Sequence, residues 1–163
     1  MNGLGWPPEL PPAFQWIRAG LFFLYLGALS REDLRRRAIP LSLLAAGAAG
    51  GLLQAVLQLY FLENTLAAAW AAFWPGVLPG AGLLLLAKIT KGAIGPGDGL
   101  CFITFAFWIR IVPLFTLLFT ALCLSALTGL ALMIFRKKSR TDRLPFLPFT
   151  MAAALCLFLF GEA

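Results

Sequence analysis

Six apolar runs, at about 13–30, 41–61, 65–86, 99–112, 114–135 and 147–160, take up most of this 163-residue sequence. Only short polar stretches separate them. A hydrocarbon core about 30 Å thick accommodates about 20 apolar residues of helix, and an open sheet or loop cannot cross it with its backbone groups unpaired. The runs therefore predict an all-α fold, a bundle of about six transmembrane helices. With 61% hydrophobic residues and a mean hydropathy of +0.88, the chain carries more apolar surface than a soluble domain, at about 45–50% apolar, can bury. The runs at 99–112 and 147–160 are short. Pro113 is expected to end the fourth, and the sixth is expected to begin in the interface near Pro145.

The net charge of +6 does not form a basic face; it comes in clusters between the runs, which argues against a nucleic-acid partner. The clusters at 31–37, 88–91 and 136–143 would share one side of the bundle, leaving only Arg18 and Arg110 on the other. An excess of Lys and Arg marks cytoplasmic loops, so both termini are expected outside, with Glu9, Glu63 and Glu162 external. Residues 1–12 lack the basic n-region of a signal peptide and contain two Pro-Pro pairs, which predicts a retained, irregular external arm ahead of a membrane domain at 13–163. Cys101, Cys123 and Cys156 lie in separate apolar runs with no Cys-x-x-Cys pair and are read as small packing residues. In the third run, Pro75 and Pro79 predict a kink. Gly76 and Gly80 supply a small-residue contact face, and Gly47, Gly50 and Gly51 in the second run offer a matching surface.

The chain contains no histidine, so neither a Ser-His dyad nor a His-based zinc motif can be built. The lysines fall in the basic loops, which leaves the carboxylates. Asp33 and Asp98 stand out because each lies at the mouth of a helix pair on the basic side. Asp98 follows Gly95, Pro96 and Gly97, where glycines allow positive φ and close backbone approach and the proline stiffens the turn. A solvated aspartate capping the fourth helix fits that stretch as well. Asp33 lies in "SREDLRRRAIPL", read as a basic loop closing at Ile39-Pro40, with Pro40 near the first turn of the second helix. It too can be a charge balanced by Arg35, Arg36 and Arg37. Taken together, two aspartates on one membrane face are the minimum parts of an aspartic protease.

Three motifs make the reading specific. "DLRRRAIP" carries Asp33, Ile39 and Pro40; "GPGD" carries Gly95, Pro96, Gly97 and Asp98; "LPFLPF" carries Pro145, Phe146, Pro148 and Phe149. In order, spacing and membrane side the chain resembles the type IV prepilin peptidases, intramembrane aspartic proteases, from about Leu21 to its end. Two positions depart from that pattern: Leu100 falls where the family usually has a Lys, and Leu41 follows Ile-Pro where it often has Asn or Asp. The larger members add a cytoplasmic methyltransferase region with zinc-binding cysteines, so this chain resembles the short, peptidase-only form.

The resemblance implies Asp33 and Asp98 as the catalytic pair, with no metal or other cofactor. It implies a prepilin or pseudopilin precursor as the partner, with a short basic leader, a glycine before the cut and an apolar helix after it. It also places the enzyme in the bacterial inner membrane, cutting at the cytoplasmic face. A competing reading makes the aspartates a proton or cation path in a transporter, or parts of an inactive scaffold. Against it, neither aspartate lies mid-run and the sequence has no two symmetric halves.

The charge split predicts the topology. In a cysteine-free background, single cysteines at Ala38 and Ser139 should be shielded from an impermeant thiol reagent in intact cells, and one at Asn64 should label. Labelling at Ser139 from outside would overturn the six-helix topology.

Overall fold

The computed structural model describes residues 12–36, 38–62, 66–90, 95–136 and 145–160. They are all-helical, with no strand among them. The helices are α1 (Pro12–Arg36), α2 (Leu41–Leu62), α3 (Leu66–Ile89), α4 (Pro96–Phe105), α5 (Ile111–Arg136) and α6 (Leu147–Phe160). Of the expected external arm at 1–12, Pro12 is the first residue of α1 and residues 1–11 lie outside the described residues. So do Glu9, Arg37, Glu63, Lys91, the basic stretch at 137–143 with Asp142, and Glu162.

Two helix boundaries differ from the sequence expectation. α1 does not stop near Ser30 but continues to Arg36, so Asp33 is a helical residue and not part of a loop. The extra turns are held by a Glu32–Arg36 ion pair of 3.1 Å at i,i+4, and Arg35 and Arg36 lie in the last turn, where cations suit the helix dipole. The Pro40 carbonyl then starts α2 by accepting the N–H groups of Leu43 at 3.0 Å and Leu44 at 3.3 Å. The second difference concerns Pro113, which does not end the fourth helix. α4 stops at Phe105 in tight turns, with Phe107 N–H on the Thr104 carbonyl at 3.2 Å and Trp108 N–H on Phe105 at 2.9 Å. Pro113 instead lies in the first turn of α5, where Leu114 N–H makes the opening bond to Arg110 at 3.0 Å. Its missing N–H falls where a helix has no internal partner to offer. α3 remains helical through Pro75 and Pro79.

α4 packs most closely on α3 and also touches α2, while α6 packs on α1 and α5. The small-residue face of α3 does its expected work, but on α4. A Cβ on Gly80 would come within 2.7 Å of both the Gly99 carbonyl and the Ile103 nitrogen, and one on Gly76 within 3.0 Å of the Ala106 side chain. The expected match between this face and the glycines of α2 is not what forms. Gly47 lies under the Tyr25 ring, and Gly50 and Gly51 receive Trp108 and Phe107, because bulky rings from α1 and the α4–α5 turn fill those grooves first. The fully buried core holds Phe22, Leu26, Leu29, Phe102, Phe105, Leu114, Leu117 and Leu147.

The outside is apolar as well, with Leu24, Leu52, Leu85, Phe119 and Leu127 exposed. Ala13–Arg36 and Ile111–Ile134 are long and apolar enough to cross a membrane by length and composition. Exposed Trp16, Trp70 and Trp74 lie at the end away from the aspartates, as interfacial aromatics do. Arg18 belongs to that end but is not a surface charge. It is 5% exposed, donates to the Trp108 carbonyl and meets the Gln54 amide oxygen, tying α1 to α2 and the α4–α5 turn.

The α3–α4 contact yields a stability test. Gly80→Ala should lower unfolding free energy in detergent by about 1–3 kcal/mol, because backbone atoms on α4 must move to admit even a methyl group. Gly82, with nothing within 4 Å of an added Cβ, is the control, and Gly82→Ala should stay within about 0.5 kcal/mol of wild type. Equal stability of the two variants would refute the close approach.

Candidate active site

The three motifs come together at one end of the bundle, each placed by a helix terminus. On α1, Ser30 and Asp33 are one turn apart on the face turned toward α6. The Ser30 hydroxyl donates to the Leu147 carbonyl at 3.1 Å, and the Leu147 N–H donates to Asp33 Oδ2 at 3.1 Å. Leu147 is the first residue of α6, so its N–H is one of those a helix start leaves without an internal partner. A carboxylate there is favoured by the hydrogen bond and by the helix dipole. Asp33 is consequently buried, at 8% exposure, which is not the solvated loop charge its sequence surroundings suggested.

Asp98 stands in the first turn of α4. Gly95 is the N-cap, with φ −68° and ψ 131°, and Pro96 opens the helix. None of Gly95, Gly97 and Gly99 adopts positive φ. The expected irregular loop is therefore a helix start, in which proline supplies a preset φ where no N–H is needed. Asp98 N–H donates to the Gly95 carbonyl at 3.1 Å, and the Asp98 carboxylate takes a hydrogen bond from the Gly95 backbone. This is the reach-back half of a capping box, made by Asp98 itself and not by an N-cap aspartate.

What the glycines provide is room. A Cβ on Gly95 would sit 3.2 Å from Asp98 Oδ2, one on Gly97 3.0 Å from Ile39, and one on Gly99 2.7 Å from Leu84. Ile39, half-buried, thus packs onto the glycine turn, and Pro40 next to it starts α2. At the head of α6 the Phe146 carbonyl accepts from Phe149 at 3.1 Å and Thr150 at 3.2 Å. The Phe146 ring lies 6.2 Å from Phe102 of α4. Pro145, Pro148 and Phe149 are half-buried around that turn. Leu41 and Leu100, the two positions that depart from the motif pattern, are exposed apolar residues.

Asp98 lies in the first turn of α4, a ten-residue helix too short to cross a membrane by itself. Partial burial, and secondly the charge of Asp33, push its carboxyl up to about 7, against the Gly95 hydrogen bond, which lowers it. The charges of Asp98 and Asp33 also both reach Cys101, a buried thiol one turn along α4. All three cysteines are free thiols, Cys101 buried and Cys123 and Cys156 exposed. Sequence reading passed over Ser30, whose three-residue spacing from Asp33 on a helix was the available signal. It also passed over Tyr25 and Thr104, which the sequence does not relate. A cavity of about 330 Å³ lies toward the other end, between α1 and α2, lined by Leu21, Gly50, Leu53 and Trp108 among others and by neither aspartate.

A family model described as the type IV leader peptidase family matches residues 20–134. The match includes Asp33, Ile39, Pro40 and the turn at Asp98, and ends before Pro145. No curated protein and no solved structure matches the chain.

The position of Asp98 sets a pH dependence. Its carboxyl holds a proton up to about 7 in the folded chain but only to about 3.9 when unfolded. Between those values the folded state binds more protons, so this group's contribution lowers stability as pH rises from about 4 to about 7 and is constant above. Asp98→Asn removes that slope. Its melting temperature in detergent should exceed that of wild type at pH 8, with the gap closing toward pH 4. Parallel curves for the two proteins would contradict the burial of the carboxyl.

Proposed function

Since the chain belongs to the type IV leader peptidase family, a family of membrane peptidases, we propose that it is an intramembrane aspartic endopeptidase. In this reading it removes the short basic leader of a prepilin-like precursor at the cytoplasmic face, using Asp33 and Asp98. The observation that carries the reading is the meeting of the three motifs at one end of the bundle: Leu147 at the head of α6 donates to Asp33, Ile39 packs on Gly97 beside Asp98, and Phe146 lies against Phe102 of α4. Neighbouring carboxylates cannot both ionise easily, so the pair shares a proton.

The two environments divide the roles. Asp98, partly buried and pushed upward, holds the shared proton. Asp33, receiving the first N–H of α6, is the ionised member; pairs whose surroundings drive their acidities apart make such acid and base assignments. Asp33 takes a proton from water while the oxygen attacks the scissile carbonyl, and Asp98 protonates the carbonyl oxygen. The resulting diol collapses as one hydroxyl proton returns to Asp98 and the proton on Asp33 passes to the leaving nitrogen. Peptide and water become a leader carboxylate and a new amino terminus, with both aspartates as they began.

The substrate class is the one the family implies, and the placement of the aspartates supports it. With the apolar helix of the precursor alongside the bundle and its basic leader in water, the bond at the boundary reaches the aspartates. A glycine before that bond would let the substrate backbone approach the turn at Gly95 and Gly97, residues that carry no side chain of their own. The six-helix topology with both termini outside and residues 1–12 as an external arm belongs to the same proposal.

Co-expression with a prepilin and a gel-mobility assay tests it. Asp33→Asn and Asp98→Asn should each reduce cleavage by at least about 100-fold at wild-type abundance, since an asparagine oxygen at position 33 can still accept from Leu147. If Asp33 served only to start α6, its asparagine variant would cleave normally, and that result would sink the assignment. Glu32→Gln and Asp142→Asn should remain active. Exchanging the substrate glycine for leucine should block cleavage, and purified enzyme should be indifferent to chelators.

A further inference from the structure

Asp33 and Asp98 sit on helices whose main packing partners differ: α1 packs chiefly on α6 and α4 chiefly on α3, with smaller contacts of α1 on α2 and of α3 on α5 joining the two sides. Contacts that join α1 to α4 directly bear on the distance between the carboxylates. Tyr25 of α1 and Thr104 of α4 are joined at 3.0 Å between their hydroxyl oxygens. Thr104 also points its hydroxyl at the Cys101 carbonyl, 2.7 Å away. A threonine hydroxyl has one proton, so Thr104 donates to Cys101 and accepts from Tyr25.

The Tyr25 ring is confined on every side. It stacks on Trp108 at 6.2 Å and 16°, meets Phe105 edge-on at 6.1 Å, and fills the space that a side chain on Gly47 of α2 would need. With the ring fixed, its hydroxyl has one reach, and Thr104 lies at it. Along the helices, Asp33 is about 12 Å from Tyr25 and Asp98 about 9 Å from Thr104, at 1.5 Å per residue. We propose that the Tyr25–Thr104 hydrogen bond is a positioning contact that sets the register of α1 against α4 and thereby the separation of the two aspartates. The inference rests on the two-aspartate reading and deepens it. The aromatic packing alone holds the helices together but leaves sliding along their axes cheap, because ring contacts are broad and the hydrogen bond is directional.

Tyr25→Phe deletes the hydroxyl and keeps the ring; Thr104→Val deletes the acceptor and keeps the shape. Each should lower kcat by about tenfold or more, as small misplacements of reacting groups do, with KM within about twofold of wild type. The double variant should be no slower than either single one, because both remove the same contact. Thr104→Ser, which restores the hydroxyl, should restore the rate. A second readout is independent of cleavage: the infrared titration of the Asp98 carboxyl, identified by the band lost in Asp98→Asn. The titratable groups in its field are Asp33 of α1 and Cys101 of α4. As Asp33 shifts away, the titration should move to lower pH in Tyr25→Phe. An unmoved titration, with or without a fall in kcat, overturns the positioning role, because loosening of the fold alone lowers rate without altering the pair. If wild-type protein cleaves no prepilin, the peptidase reading fails, while the titration still decides the contact.

Discussion

The contact between α3 and α4 at Gly80 and Gly99 is the constraint on which the aspartate end depends. α4 is 10 residues long, too short for its own length to stabilise it in isolation, and it has to be held from outside. A Cβ on Gly99 would lie 3.0 Å from the Gly80 carbonyl and 2.7 Å from Leu84, so the two backbones approach closely, with Leu84 packed beside them. That approach fixes the depth of α4 in the bundle. It leaves the other faces of the helix free to receive rings from α1, the side chain of Ile39 and the head of α6. If the contact were lengthened by one methyl group, the errors would accumulate at Asp98, three residues from the start of the helix.

The second organising interaction is electrostatic and unequal. Asp33 is attached to the amino end of a helix that is not its own, so its charge has a dipole and a donor to face. Asp98 folds back on the cap of its own helix and is partly buried near another negative charge. Two chemically identical side chains thus sit in unlike surroundings, one on the amino end of another helix and one partly buried on its own cap. In the proposed hydrolysis that difference is what separates an acid from a base.

The six helices were legible in the sequence because each is an apolar run bounded by charge, proline or glycine, and these local signals needed no knowledge of neighbours. The end of α1 was not legible. "SREDLRR" has the composition of a loop, and beside the local Glu32–Arg36 pair what supports its helix is the docking of Ser30 and Asp33 on Leu147, a residue more than a hundred positions away in sequence. Gly-Pro-Gly was ambiguous for a different reason: the same residues mark an irregular turn and the start of a helix, and the backbone angles at Gly95 decide for the latter. The glycines of α2 and α3 were recognisable as contact surfaces, but not their partners. Tyr25 claims Gly47 by its size and direction, which periodicity does not encode. The two aspartates could be chosen from composition and motif, yet the groups that hold them, Leu147, Ser30 and Thr104, could not.

The length of α3 has a topographic result. Gly80 is level with Gly99, and α3 continues to Ile89, a further rise of about 13 Å at 1.5 Å per residue. On the α1 side the helix ends at Arg36, only about 4.5 Å beyond Asp33. α3 therefore extends further past the level of Asp98 than the described part of α1 extends past Asp33. In the proposed hydrolysis the precursor would reach Asp98 as an extended strand passing the end of α1, the side on which less helix stands beyond an aspartate.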